Sequence, residues 1–560
     1  MLNQLSRRRF LKLVGLSGAS VILANCAPPS QLAPAPSSTG ATAAAGRQSI
    51  RLAASAAQGL FEPPQPFGFR TGPSFARSSF LFDMLTWRDS TPQSIPWLAE
   101  KWTASDDGTG WIFTLRDGVK FQDGQPLTVD DVVFSYQYIL ANATSWYSSL
   151  VDVFKDITAP DTHTVHITLK TPYAPFLSSI TANVPIIPKH IWSNVKDPVK
   201  FNDPTAFIGS GPYHLQSFSQ ADSSFLFTAN DDFFLGKPYV QQLAFVPVGN
   251  DDLVALKAGN VDVATPTVTE GFATEALDYF KNDPKYAIME APGEGTIALH
   301  FNLTHGEPYS TVAFRQAILY AIDRKDLVTR ILNGNGDPGS AGYLSPGNPY
   351  APPSSIEPYA YDLDKAKTLL DQAGYPEQNG QRVKPDGSPL TIPLLFPTTA
   401  TRTAELIRDY LAKVGLKVEL NPVDPATANQ RQGEGNYDLA LVIYGGLGSD
   451  PDFMRRAFNS PDQAKFWWKA WGYKNPDFAK LATEQLRTLD DNKRHDLVAQ
   501  MQRIIAQDVP VMPLYYPTRL LVSVPSVFDN WYYTPLWNPL ALNKHSFVTG
   551  QKTGLTIRSS

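Results

Sequence analysis

The chain has 560 residues, more than one hydrophobic core usually holds, so two or more lobes are expected rather than one small module. Apolar residues make up 43% and charged residues 18%, which excludes a disordered chain, while 47 prolines and 37 glycines argue for many turns and against a helical bundle. Residues 1–26 carry Arg7, Arg8, Arg9 and Lys12 and no acid; the remainder has 44 basic against 53 acidic residues and no basic stripe suited to nucleic acid.

In chain order, Ser6-Arg7-Arg8-Arg9-Phe10-Leu11-Lys12 precedes an apolar stretch, Leu13 to Ala24, too short to span a bilayer as a mature helix. This segment resembles a twin-arginine signal peptide, in which Arg7 and Arg8 would be the export determinants. Leu23-Ala24-Asn25-Cys26 resembles a bacterial lipoprotein box, with Asn25 where a small residue is usual; the resemblance implies a lipid anchor on Cys26. Cys26 is the sole cysteine, so no intrachain disulfide and no cysteine-based metal site can form. Residues 27–46 hold Pro28, Pro29, Pro34 and Pro36 among small residues, with no charge and no aromatic ring, as a flexible spacer would.

The folded body begins near residue 47. Trp111, Phe113 and Leu115 alternate along a strand, and the Asp-Gly pairs ending at Gly108, Gly118 and Gly124 supply the positive φ of tight turns, predicting an antiparallel meander. A helix is predicted to start at Thr128, with Asp131 three residues on as its reciprocal cap. Further strands are expected at 164–170 and 224–228. Farther on, Asp364 is placed to cap a helix that stops at Gly374. An apolar strand at 390–396, a helix at 403–414 closed by Gly415, and a strand at 416–420 form a βαβ unit, which implies a parallel sheet. The next strand, 437–444, is apolar enough to be buried on both faces.

Several runs carry a resemblance in the same order along the chain: Leu98-Ala99-Glu100-Lys101-Trp102, Leu115 through Gly124, Asp130 through Tyr136, Pro185 through His190, Gly209-Ser210-Gly211-Pro212-Tyr213, Ala255 through Asp262, and Phe314 through Arg324. Together they resemble bacterial family 5 extracellular solute-binding proteins, the peptide and nickel class of ABC-transporter receptors. The resemblance implies an α/β, bilobed, periplasmic-binding-protein-like fold of class II, enlarged peptide-binding type, with two lobes joined by a hinge. Lobe I would comprise 47–296 and 520–560, with an extra antiparallel subdomain near 83–206, and lobe II would comprise 297–519.

Ligands of open parallel sheets bind beyond the carboxyl ends of the strands, which directs attention to Tyr444 and to the loop Gly445, Gly446, Leu447, Gly448, Ser449, Asp450, Pro451, Asp452. That loop either lines a cleft or is a turn in which Asp450 caps the next helix. Dipeptide-binding relatives are implied to carry an aspartate where Leu447 stands, and an arginine where Leu394 falls, leaving Arg402 as the nearest cation. Asp450 or Asp452 remains available to pair with a ligand amine. Trp467, Trp468 and Trp471 offer rings for ligand stacking or for packing between lobes or within the core, and Trp531, Tyr532, Tyr533 and Trp537 present the same choice. His163 and His166 fall on opposite faces of a strand and make poor joint metal ligands.

No GxSxG, HExxH or P-loop pattern occurs, and the reading is a receptor rather than an enzyme; a secreted hydrolase using paired carboxylates is the rival class. The expectation is an exported, lipid-anchored monomer without cofactor or bound metal, taking a peptide-class solute and serving a permease and ATPase. An oligosaccharide and a nickel complex stand as alternative ligands.

Overall fold

The computed structural model describes residues 49–55, 62–68, 72–88, 93–144, 147, 152–249, 251–265, 274–293, 295–356, 359–444, 450–458, 471–532, 534 and 543–548. Two large sheets organise the chain. The first has seven strands, in the order Ala287–Ala291, Arg519–Ser523, Val263–Ala264, Ile50–Ser55, Gln242–Val248, Ser224–Ala229, Tyr213–Ser219. The second has six, in the order Gly336–Pro338, Val511–Pro517, Thr296–Phe301, Leu439–Tyr444, Thr391–Pro397, Lys417–Val423. Consecutive segments thus leave the first sheet at Ala291 to enter the second at Thr296, and leave the second at Pro517 to return at Arg519.

The two passages lie backbone against backbone. A Cβ added to Gly293 would stand 2.0 Å from the Pro517 carbonyl oxygen, so only glycine permits that approach. Beside them the Thr296 hydroxyl donates to the Tyr515 carbonyl over 2.8 Å.

The first lobe carries a four-stranded antiparallel sheet in the order Ala99–Ala104, Gly110–Leu115, Thr164–Leu169, Phe154–Thr158. The expected turns are there, with φ of +67° at Gly108, +72° at Gly118 and +87° at Gly124. The arrangement is not a simple meander, because Phe154–Thr158 lies at the outer edge and Thr164–Leu169 inserts beside Gly110–Leu115. The helix Val129–Ala141 starts as expected: the Thr128 backbone N–H and hydroxyl both donate to the Asp131 carboxylate, at 2.9 and 2.8 Å.

In the second lobe Thr391–Pro397 and Lys417–Val423 pair in parallel around the helix Thr401–Ala412, whose Ala404, Ile407 and Leu411 are fully buried. The sheet is mixed rather than parallel, since Thr296–Phe301 runs antiparallel to both of its neighbours. One cap differs from expectation. Asp362, not Asp364, accepts the Lys365 N–H at the start of Leu363–Gln372, which leaves Asp364 in the first turn, where its charge complements the helix dipole.

The last described segment belongs to the first lobe. Lys544 is wholly buried, 2.6 Å from Asp83, and its ammonium lies 4.2 Å and 4.8 Å from the ring centroids of Trp87 and Trp97. Asp83 also accepts from the Trp97 indole at 2.7 Å and the Ser210 hydroxyl at 2.9 Å, so the pair is paid in full by hydrogen bonds. Trp531 and Tyr532 pack in this region too, against Phe528 and His545.

Candidate functional site

Strands Thr391–Pro397, Lys417–Val423 and Leu439–Tyr444 are parallel, so their carboxyl ends share one edge of the second sheet. Register pairing of Thr296 with Tyr444 puts the passage from the first lobe at that same edge. Loops there have backbone groups not taken up by the sheet, which is why the edge is the place to seek a ligand.

The chain resumes at Asp450 after strand Leu439–Tyr444, and the helix Asp452–Phe458 follows. Asp450 Oδ1 accepts the Asp452 N–H at 2.8 Å, so it does shape the helix entry. Its carboxylate is also gripped at both oxygens by Arg494, at 2.7 and 2.9 Å, with both side chains largely buried. Arg494 comes from the helix Asp491–Asp508 and donates its Nε to Gln485 at 3.1 Å. Asp452 is buried and takes two N–H donors from Arg455, one of them Nη2 at 2.9 Å, with Arg456 Nε 3.6 Å away. Burial alone raises the Asp452 pKa; Arg455, Arg456 and Arg494 outweigh it and hold the carboxyl below its usual range.

Asp450 and Asp452, the carboxylates offered for a ligand amine, are thus both paired within the second lobe. Both charges are already compensated by internal guanidinium groups, and desolvating a further ammonium beside them brings little return. Tyr444 is likewise engaged, its hydroxyl 2.7 Å from His300 Nε2 within the core. His300 is 3% exposed, and burial pushes its pKa down to about 3, so the ring is neutral.

Trp471 takes the packing alternative of the two open to it. It is 3% exposed, with ring centroids 5.0 Å from His300 and 5.6 Å from Phe458, and its carbonyl accepts the Leu303 N–H at 2.9 Å. Leu394 is fully buried in the second lobe. Arg402 is exposed in the first turn of Thr401–Ala412, which follows the carboxyl end of Thr391–Pro397. Gly445, Gly446, Leu447, Trp467, Trp468, Tyr533, Trp537, Cys26, Arg7 and Arg8 lie outside the described residues.

Tyr173 was not singled out by the sequence. It comes from the first lobe, where the Ala174 N–H donates to the Leu486 carbonyl of the second lobe at 2.8 Å. Its ring is 6% exposed. Burial raises the phenol's pKa; Asp452 and Asp450 push it the same way, while Arg455 and Arg456 oppose them. Its only sequence signal is the Pro172-Tyr173-Ala174-Pro175 turn, which has no chemical signature of its own. Among the described residues no group of three His, Cys, Asp or Glu side chains converges as a metal site would require, and no helix is long and apolar enough to cross a membrane.

Two sheets joined by paired passages, with the carboxyl ends of the second sheet's parallel strands beside those passages, make a bilobed fold of the binding-protein type. The chain belongs to the bacterial extracellular solute-binding proteins of family 5: residues 93–466 match the family described as "Bacterial extracellular solute-binding proteins, family 5 Middle". The nickel-binding periplasmic protein of Escherichia coli is 28% identical over 486 residues, covering 85% of this chain and 90% of that one. The dipeptide-binding protein of the same organism is 28% identical over 490 residues, covering 82% and 88%. In fold, the chain is similar to the oligopeptide-binding protein AppA of Bacillus subtilis, solved with a nonapeptide, at a TM-score of 0.74 and 23% identity over 89% of this chain and 98% of that one. NikZ of Campylobacter jejuni, solved with Ni(L-His), gives a TM-score of 0.75 and 22% identity over 90% and 100%.

Proposed function

We propose that this protein is the substrate-binding receptor of an ABC importer, that it encloses a peptide-class solute between its lobes, and that it hands the solute to a membrane permease without altering it. The observation that carries the reading is the pair of passages at 291–296 and 517–519, which let one lobe turn against the other about two short backbone segments. Relatives described as dipeptide- and oligopeptide-binding proteins support the peptide class. Closure would exclude water and replace it with fixed backbone and side-chain partners, so that affinity comes from preorganisation rather than bond making. Lobe I as 47–296 with 520–560, and lobe II as 297–519, are the bodies that would move.

The proposal includes export by the twin-arginine route through Arg7 and Arg8, and a lipid anchor on Cys26 with residues 27–46 as spacer. A pooled library of two- to five-residue peptides should raise the thermal midpoint of the mature protein and reduce its radius of gyration in solution scattering. Cello- or manno-oligosaccharides doing so while peptides leave both unchanged would move the assignment to the sugar class. Hydrolysis of any of these solutes would replace the receptor by an enzyme.

A further inference from the structure

The hairpin turn at 105–110 of the first lobe holds its own shape. The Asp107 carboxylate accepts from the Ser105 hydroxyl at 2.6 Å and from the Thr109 N–H at 3.0 Å, the Ser105 hydroxyl accepts the Gly110 N–H at 2.7 Å, and the Gly108 N–H donates to the Ser105 carbonyl at 2.9 Å. These partners are all local, so the turn needs nothing from elsewhere to form. Gly108 nevertheless presses on the second lobe: a Cβ added there would stand 2.3 Å from Leu489 Cδ1. Gly108 is buried in consequence, although Ser105, Asp106 and Asp107 just before it are exposed.

A second contact between the lobes is made three residues earlier. The helix Pro476–Arg487 ends, as every helix does, on carbonyls that its own backbone cannot satisfy, and that of Leu486 accepts the Ala174 N–H of the first lobe at 2.8 Å. Ala174 lies between Pro172 and Pro175, outside any strand or helix of its own lobe, which leaves its N–H to be given across the gap. The Leu486 side chain packs against the first lobe's core. The loop that carries both leucines is anchored within the second lobe: Gln485 accepts from Arg494 Nε at 3.1 Å, and Arg494 grips Asp450 beyond the strand Leu439–Tyr444. Every one of these contacts is between the chain's own atoms, so its strength does not depend on a solute.

We infer that Gly108 and Ala174 on one lobe, with Leu486 and Leu489 on the other, form a clasp that favours the closed arrangement of the lobes and so sets how tightly the solute is held. This rests on the receptor reading, in which the lobes part to admit a solute. Parting them here breaks a backbone hydrogen bond, withdraws Leu486 from the first lobe's core and uncovers Gly108. A solute that binds the closed form gains apparent affinity in proportion to the closed fraction the clasp maintains, and its release waits on the clasp. The four residues therefore determine affinity without touching the solute.

The test uses the mature chain with Cys26→Ser and spin labels at Asp106→Cys and Lys480→Cys, two exposed positions, one on each side of the clasp. Pulsed electron paramagnetic resonance without solute should give one short separation as the main population. Gly108→Asn keeps the turn, because asparagine tolerates a φ of +67°, but brings a Cβ onto Leu489; Leu486→Ser removes the apolar insertion. Each should raise a population at longer separation. With the peptide that most raises the parent's thermal midpoint, both variants should return to the short separation, with Kd weakened about fivefold and dissociation faster by a similar factor. Leu489→Ala in the Gly108→Asn chain makes room for the new side chain and should restore part of both. Unliganded thermal midpoints show that each variant is folded. A parent found only at the long separation until peptide is added would mean that the solute alone closes the lobes, and the clasp would be wrong. Unchanged separations and dissociation rates in both variants would overturn it too. If no peptide binds, the peptide class fails, while the unliganded separations still decide for or against the clasp.

Discussion

The neutral His300 makes stability depend on acid in a calculable way. An ordinary histidine titrates near 6.5, and burial holds this one down to about 3. Because the folded pKa is depressed, the stabilisation is complete above the unfolded pKa of about 6.5 and is lost as pH falls from there towards 3, where the unfolded chain binds a proton that the folded chain refuses. The loss is about 2 kcal/mol at pH 5 and about 3 kcal/mol at pH 4, from ~1.4 kcal/mol per unit of pKa difference. His300→Gln keeps an amide able to reach the Tyr444 hydroxyl and removes the titration. Urea unfolding at pH 7.0, 5.0 and 4.0, followed through tryptophan fluorescence with Trp471 5.0 Å from His300, should show wild type losing that much more than the variant as pH drops. The other histidines cancel in the comparison. Equal losses for the two proteins would mean that His300 is solvated or charged in the folded state, and the core assignment would fall with it.

Removing the ammonium of Lys544 by Lys544→Met should destabilise the protein by about 3–5 kcal/mol, because Asp83 is left charged and buried. The double change with Asp83→Asn should recover much of that loss, and a chemical-denaturation cycle reads both. Gly293→Ala forces a methyl onto the Pro517 carbonyl and should cost about 1–3 kcal/mol; an unchanged unfolding midpoint would contradict the close passage of the two segments. Cys26→Ser should shift the protein from the membrane pellet to the soluble exported fraction, and lysine at both Arg7 and Arg8 should retain the precursor in the cytoplasm, each followed by immunoblotting of cell fractions.

Local features were the readable ones. The Asp-Gly turns, the Thr128–Asp131 reciprocal cap and the βαβ unit are each set by residues a few positions apart, and the structure contains all three. Asp362 took the cap expected of Asp364 because the two acids, two residues apart, both suit the start of a helix, and sequence cannot say which one has the extended backbone of a cap. The site was less legible. Asp450 and Asp452 look like open carboxylates in sequence, but their compensation depends on arginines as distant as Arg494, 44 residues away. Trp471 has the composition of a ligand platform and the neighbours of a core, and only the fold brings His300 and Phe458 to it. Tyr173 reaches the second lobe through a turn whose sequence carries no chemical mark.

The Asp83–Lys544 pair also bears on synthesis. The two partners are 461 positions apart, so the first lobe, begun at Ile50–Ser55, acquires this internal counter-charge only after the residues of the second lobe have been made. Domains commonly fold as the chain emerges, but here the second lobe is complete before the first can close. Without Lys544, Asp83 would be left buried without its cation. The segment 543–548 is therefore a structural part of the first lobe, held there by a charge that the lobe's earlier residues cannot supply.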